Sequence, residues 1–336
     1  MNETTQISAV IPTYNRAKTL SRAIDSVFAQ SYPVSEVVIV DDGSTDNTRD
    51  VVKRYRDRIR YVYQPNAGVA SARNRLVNEA RFDWIAFLDS DDYWLPDHIK
   101  RMVNAIEFTK GEAALYFADI IRPPDEQKVS LWEICQFKPT SPLELSRDAG
   151  DWVLTNIQPM MLQASVIRRE KYHESGALPE NLRTREDTLL FLKFGLLFPL
   201  CAVQGCGTVM MSDGGMRLTK EIHYATVAYA LATIAFLKEV LALRDSISGT
   251  RRRHLKEKLS DAYFGAGRAF YRQNARLTSM RYLLHSALVS RKVFMGCLRQ
   301  SARQLPAPFR RFQRLRPVNG KAAISSPDSV LNNHEV

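Results

Sequence analysis

The sequence predicts an α/β fold: a doubly wound, mostly parallel sheet with helices on both faces, followed by a C-terminal helical region. Three observations carry this. Short apolar runs alternate with helical periods through the first hundred residues, polar and acidic residues gather directly behind the apolar runs, and an Arg-rich stretch of helical periodicity follows residue 250.

Ile7-Ser8-Ala9-Val10-Ile11 is a short apolar strand, closed by Pro12-Thr13-Tyr14-Asn15. Leu20, Ala23, Ile24, Val27 and Phe28 recur at helical spacing and give one face to pack on a sheet. Pro33 marks the break before a second strand, Glu36-Val37-Val38-Ile39-Val40. Behind it lies Asp41-Asp42-Gly43-Ser44-Thr45-Asp46, where Ser44 or Thr45 is expected to cap the next helix and Asp46 to sit in its first turn. That helix buries Val51, Val52 and Tyr55. Ile59 to Tyr63 is a third strand, Val69 to Ala80 a third helix and Trp84 to Leu88 a fourth strand. Such alternation implies parallel strands joined by right-handed crossovers.

The run Leu88-Asp89-Ser90-Asp91-Asp92 places three carboxylates at the carboxyl end of the fourth strand, the edge where open α/β sheets bind ligands. Clustered like charges repel, and a divalent cation relieves them; Mg²⁺ and Mn²⁺ prefer such hard oxygens and share them with substrate phosphates. A solvated acidic turn is the plain alternative. Thr13, Tyr14 and Asn15 follow the first strand and Asp41 and Asp42 the second, so three loops converge on one rim. No G-x-G-x-x-G follows the first strand and no G-x-x-x-x-G-K-[ST] occurs, which disfavours a dinucleotide fold and a P-loop enzyme.

Together these segments resemble the inverting family-2 glycosyltransferases, which have the GT-A fold. The matching stretches are Val10 to Arg16, Val38 to Asp46, Asn66 to Asn74, and Phe87 to Asp92 with Trp94-Leu95-Pro96-Asp97 behind it. The likeness is strong from about Ile7 to Glu107, thins to one motif near Asp187, and is nearly absent beyond residue 220. By that resemblance Tyr14 lies against a pyrimidine ring, Pro12 and Thr13 add backbone contacts, and Asp42 accepts from the base N3–H. Arg73 approaches the phosphates, and Asp89 and Asp91 form the D-x-D pair, with Asp91 the better candidate for direct metal coordination by Mg²⁺ or Mn²⁺. Leu182-Arg183-Thr184-Arg185-Glu186-Asp187 resembles the family's Glu-Asp motif at a helix start, beginning at Thr184 or Arg185, with Asp187 the implied general base. Simpler roles exist for each: Tyr14 covering a sheet edge, Asp42 bracing a turn, Arg73 pairing with Glu79, and Glu186 and Asp187 complementing a helix N-terminus.

The resemblance implies inverting transfer from a nucleotide-diphosphate sugar, UDP- or dTDP-linked in preference, to a hydroxyl of a growing polysaccharide or lipid-linked saccharide. The rivals are a nucleotidylyltransferase, which would carry a basic Gly-rich loop where this chain has Pro12-Thr13-Tyr14-Asn15, and a non-catalytic nucleotide-sugar-binding scaffold, against which Asp89, Asp91 and Asp187 together argue.

The expected organisation is a GT-A domain over residues 1–220, split into a nucleotide-sugar half (1–110) and an acceptor half (111–220). A basic helical region (221–318) and a disordered tail (319–336) follow. Residues 1–110 hold 15 Lys/Arg against 15 Asp/Glu, residues 111–249 hold 14 against 17, and residues 250–320 hold 17 against 2. Leu255, Leu259, Tyr263, Phe264, Phe270, Leu277, Tyr282, Leu283 and Leu284 recur near helical spacing among those cations, which suits an anionic membrane surface. No nucleic-acid motif is present, so no nucleic-acid partner is expected. No signal peptide is expected at Met1-Asn2-Glu3-Thr4-Thr5, and Phe194 to Met211, uncharged but holding Pro199, Gly205 and Gly207, reads as the end of a helix and then a strand. Four cysteines provide no disulfide framework, and neither they nor the scattered histidines have zinc-site spacing. The expected location is the cytoplasm, peripheral on the inner face of the cell membrane.

Overall fold

The computed structural model describes residues 4–122, 129–155, 157–180, 186–211, 227–243 and 247–303. The first half alternates as expected: β1 (Ile7–Thr13), α1 (Leu20–Phe28), β2 (Glu36–Asp41), α2 (Thr48–Lys53), β3 (Arg60–Tyr63), α3 (Val69–Glu79), β4 (Trp84–Phe87), β5 (Tyr93–Trp94) and α4 (His98–Phe108). The second half contributes β6 (Leu115–Arg122), β7 (Val129–Ser130), α5 (Leu131–Cys135), β8 (Leu143–Ser146), α6 (Gly150–Val153), β9 (Ser165–Arg168), α7 (Arg169–Glu174), α8 (Glu186–Leu197) and β10 (Leu200–Val209). Four helices close the described chain: α9 (Val227–Ala242), α10 (Gly249–Arg272), α11 (Arg276–Val289) and α12 (Arg291–Arg303).

The strands form one sheet in the order β3-β2-β1-β4-β9-β6-β10-β5. β1 is parallel to β2 and β4, β2 to β3, and β6 to β10, while β9 runs antiparallel between β4 and β6. The carboxyl ends of β1, β2 and β4 therefore share one edge, with Thr13 beside Asp41 in register. Period-two alternation sorts β1 between two cores. Ala9 and Ile11 join Leu20, Ile24, Ile99 and Met102 from α1 and α4 on one face. Val10 joins Leu76 and Val77 of α3 on the other. That second core continues through Leu189 and Phe194 of α8 into Phe236 of α9 and Leu255, Leu259 and Tyr263 of α10. The C-terminal helices thus share apolar packing with the sheet layer.

Two local expectations need correction: Ser44 or Thr45 does not cap α2, and Asp46 lies ahead of the helix rather than in its first turn. α2 starts at Thr48 rather than directly behind Ser44 and Thr45, and its flanking Asn47 makes no side-chain cap. Asp46 supplies the acceptor instead, taking the Thr48 backbone N–H at 3.0 Å. The sequence stretch expected to end a helix and enter a strand does so, through α8 and β10. Thr184 and Arg185, the expected helix start, and the tail 319–336 lie outside the described residues. Among the described residues no helix is long and apolar enough to cross a membrane.

Candidate active site

Where β1 ends, Pro12 and Thr13 are buried and Tyr14 turns outward at 48 % exposure. Thr13 Oγ1 is buried without a hydrogen-bond partner among the described residues. The loop is then clamped to the one behind β2. Asn15, in the left-handed region at φ 51°, donates its N–H to Ser44 Oγ at 2.8 Å and accepts from Thr45 N at 2.8 Å. Arg16 N donates to Thr48 Oγ1 at 3.0 Å and Ala17 N to Asp46 Oδ2 at 3.1 Å. Ser44 and Asp46 therefore serve as staples between two rim loops.

Asp41 and Asp42 are both buried and divide the work. Asp41 accepts from Ser44 N at 2.8 Å and from the Tyr61 hydroxyl at 2.5 Å; burial first, then that bond, push the Tyr61 phenol up. Asp42 accepts from Gln64 Nε2 at 2.7 Å and from the backbone N–H of Ala67 and Gly68, each at 2.9 Å. A carboxylate offers about four lone-pair positions, so roughly one is left for an outside donor. Asp42 thus pins the entry to α3 as well as facing the rim. Gly43 is required here: its φ is +84°, and a Cβ would stand 2.7 Å from Asn66 N.

The acids behind β4 are each held by a different group. Arg73, on the first turns of α3 and only 7 % exposed, donates to Asp89 Oδ1 at 2.8 Å and to Glu186 Oε1 at 3.2 Å. Burial alone would pull its guanidinium down; Asp89 and Glu186 more than reverse this and hold it protonated. The helix neighbour Glu79 is taken by Arg75 and Arg60 instead. Asp91 pairs with Arg16 at 3.3 Å through Oδ2, and its carbonyl accepts from Arg22 at 2.6 Å. Asp92 is buried, bonded to Met211 N at 2.9 Å and Gln163 Nε2 at 3.0 Å. Burial first, then Asp89 and Asp91, push its carboxyl up to about 8.

At the start of α8, Glu186 is buried, and burial followed by Asp187 raises its carboxyl against the pull of Arg73. Asp187 Oδ1 accepts from Thr188 N at 2.6 Å. Asp187 also lines a cavity of about 1050 Å³ between α6, α8, α9 and α10, walled by Met160, Phe191, Leu192 and Lys258 among others. A shallower depression over Leu95, Lys100 and Arg101 holds none of the expected site residues.

The structure therefore brings Asp89 and Glu186, 97 positions apart in the chain, onto one buried guanidinium, with Asp187 next in sequence to Glu186. No local pattern in the sequence marks Arg16, Gln163 or Tyr61 as part of the site, because their partners are distant in the chain. Among the described residues no three His, Cys, Asp or Glu side chains converge as a metal cage. The donor set nevertheless fits a divalent ion that arrives with a diphosphate. Asp89 and Asp91 are partly exposed and present hard oxygens, and such ions commonly take one or two carboxylates plus substrate phosphates.

An uncharacterized glycosyltransferase of Nostoc sp. (strain PCC 7120) is 41 % identical over 125 residues, 36 % of this chain and 39 % of that protein. The chain thus spans about two fifths of the length of that relative. Among solved structures, TarS 1–349 of S. aureus in complex with UDP-GlcNAc matches with a TM-score of 0.60 at 17 % identity, covering 88 % of this chain and 92 % of that one. The mannosyltransferase PcManGT of Pyrobaculum calidifontis, in complex with GDP-Man and Mn²⁺, matches with a TM-score of 0.54 at 17 % identity, covering 93 % and 84 %. These two likenesses concern the fold. The family model for glycosyl transferase family 2 matches residues 8–175, half of the sequence and all of the rim described above except the start of α8 and Met211. The chain belongs to glycosyl transferase family 2.

Proposed function

We propose that the chain transfers a sugar from a nucleotide-diphosphate sugar to a saccharide hydroxyl, with inversion at the anomeric carbon. The observation that carries this reading is the Arg73 bridge between Asp89 and Glu186, which ties one acid of the D-x-D pair to the start of the Glu186-Asp187 helix. Tyr14 offers an exposed flat ring for the base, and Pro12 and Thr13 shape the backbone beside it. Asp42, with one acceptor position left, takes an N–H from a uracil- or thymine-type base. Two solved neighbours were captured with nucleotide-diphosphate sugars, one UDP-linked and one GDP-linked, which supports the donor class and leaves the base to experiment.

The reaction needs one displacement. The acceptor oxygen attacks the anomeric carbon as the bond to the diphosphate oxygen breaks, and the hydroxyl proton passes to the Asp187 carboxylate. Asp187 stands at the wall of the large cavity, so the acceptor enters from the α9–α10 side, where Phe236 and Leu237 alternate with polar and charged groups such as His254, Lys258 and Arg268 that can bind saccharide hydroxyls. Asp91, with Asp89, would hold Mg²⁺ or Mn²⁺, which when bound neutralises charge on the departing diphosphate. Arg73, expected from the resemblance to approach the phosphates, is buried between two carboxylates, so we assign it instead as a positioning residue that keeps Asp89 and Glu186 in place. The four cysteines are free thiols, which suits a reducing compartment, and we take the cytoplasmic side of a membrane as the working location.

The test is a panel of UDP-, dTDP- and GDP-sugars with and without Mn²⁺, read by thermal shift and by released nucleoside diphosphate. One donor should stabilise the protein in a metal-dependent way. Asp187→Asn should keep that stabilisation and lose turnover by roughly a hundredfold or more. Full turnover by Asp187→Asn removes it as the base, and no stabilisation by any donor removes the function.

A further inference from the structure

α11 is built inside out. Its buried residues are small and polar: Ser279 donates to the Gly267 carbonyl at 2.7 Å, and Ser286 Oγ donates to the Ser260 carbonyl at 2.7 Å. These bonds seat the helix tightly on α10, where a Cβ at Gly267 would stand 2.8 Å from Leu283. The opposite side faces water with Leu277 at 85 % exposure, Met280 at 59 %, Leu284 at 61 % and Leu288 at 82 %. At 3.6 residues per turn these four fall within an arc of about 80°, a continuous apolar stripe. Met295 and Leu298 of α12 are exposed as well.

The charge around the stripe has one sign. From Ala262 to Pro327 the sequence carries 13 Arg and Lys and no Asp or Glu. Arg276, Arg281, Arg291, Lys292 and Arg299 are all exposed on α11 and α12, and Arg281 lies four residues from Leu277 and three from Leu284, beside the stripe. A second copy meeting face to face would set these cations against one another. The segment beyond Arg303 carries Arg310, Arg311, Arg314 and Arg316 and suffers the same repulsion.

We propose that the α11–α12 face docks on an anionic lipid surface. Leu277, Met280, Leu284 and Leu288 enter the headgroup–acyl boundary while the flanking arginines extend to lipid phosphates. This goes beyond the glycosyl-transfer reading and is independent of it, because binding is measured without donor or turnover.

The experiment is flotation of the full chain with vesicles of phosphatidylcholine alone and with equal parts of phosphatidylcholine and phosphatidylglycerol. The wild type should float with the anionic vesicles only, and high salt should weaken the binding. Leu277→Gln/Leu284→Gln/Leu288→Gln should lower partitioning about tenfold or more, as should Arg281→Glu/Arg291→Glu. All three residues of the first variant are exposed, so its melting temperature and helix content should match the wild type. Absence of wild-type flotation overturns the proposal, as does equal flotation of the triple variant. A lipid-free wild-type dimer that the triple variant splits assigns the stripe to a second copy instead and also overturns it.

Discussion

Replacing Arg73 with Met tests the bridge that joins the two halves of the site. Arg73 is 7 % exposed and makes two ion pairs, at 2.8 Å to Asp89 and 3.2 Å to Glu186. Removing one member of a buried pair costs about 3–5 kcal/mol, because the partner charge is stranded. The Asp89 side chain is more than a quarter exposed, so water takes over part of its stabilisation, whereas Glu186 is buried and feels nearly the full loss. We therefore expect roughly 3 kcal/mol of destabilisation, or a fall in Tm of about 4 °C for a chain of this size. Arg73→Lys keeps the charge but loses the planar fork that reaches both carboxylates, and should fall between wild type and Met. The assays are urea unfolding and nucleoside diphosphate release. Turnover should drop on the order of a hundredfold as Asp89 and Glu186 shift. A cycle with Glu186→Gln should return a coupling of about 2 kcal/mol. A Met variant with wild-type stability and donor affinity, or a cycle with no coupling, refutes the reasoning.

Glycine positions give a paired expectation. Gly43→Ala should destabilise by about 1–2 kcal/mol and weaken donor binding, since the backbone is left-handed and Asn66 N blocks the new Cβ. Gly265→Ala, mid-helix in α10 with open space around it, should stabilise by about 0.5–1 kcal/mol in the same urea assay. His98 is fully buried, both ring nitrogens lack partners among the described residues, and burial followed by Arg101 pulls its imidazole down to about 3. Its unfolded value is about 6.5, so the unfolded chain binds the extra proton and stability falls as pH drops below that. At pH 5 the loss is about 2 kcal/mol, and His98→Phe should flatten this part of a pH–stability profile.

The parallel half was legible because each element carries a clean period. β1, β2 and β4 are mostly apolar runs, and α1 and α3 repeat every three to four residues. β9 was not legible: Ser165-Val166-Ile167-Arg168 is four residues long, and only its position between β4 and β6 makes it a buried strand. The α2 start was misplaced because Asp46 competes with Ser44 and Thr45 for the same backbone N–H groups, and Ser44 is engaged by Asn15. At the site, D-x-D and Glu186-Asp187 are visible as residue types, but Arg73 to Glu186 spans 113 positions, and no local spacing announces such a contact. Asp42 shows the same limit: its acidity is plain in sequence, its three protein donors only in three dimensions. In α11, periodicity identifies the helix without saying that Ser279 and Ser286 face inward and Leu277, Leu284 and Leu288 outward, since that depends on how closely α10 approaches.

Anomalous diffraction at the manganese edge, from crystals grown with Mn²⁺ and the stabilising nucleotide sugar, locates metal, diphosphate and base relative to Asp91, Tyr14 and Asp187 in one measurement. One peak is expected, bonded to Asp91 and to the diphosphate, with the base ring against Tyr14 and the anomeric carbon facing Asp187. A nucleotide bound elsewhere, or a metal peak remote from Asp91 and Asp89, contradicts that arrangement.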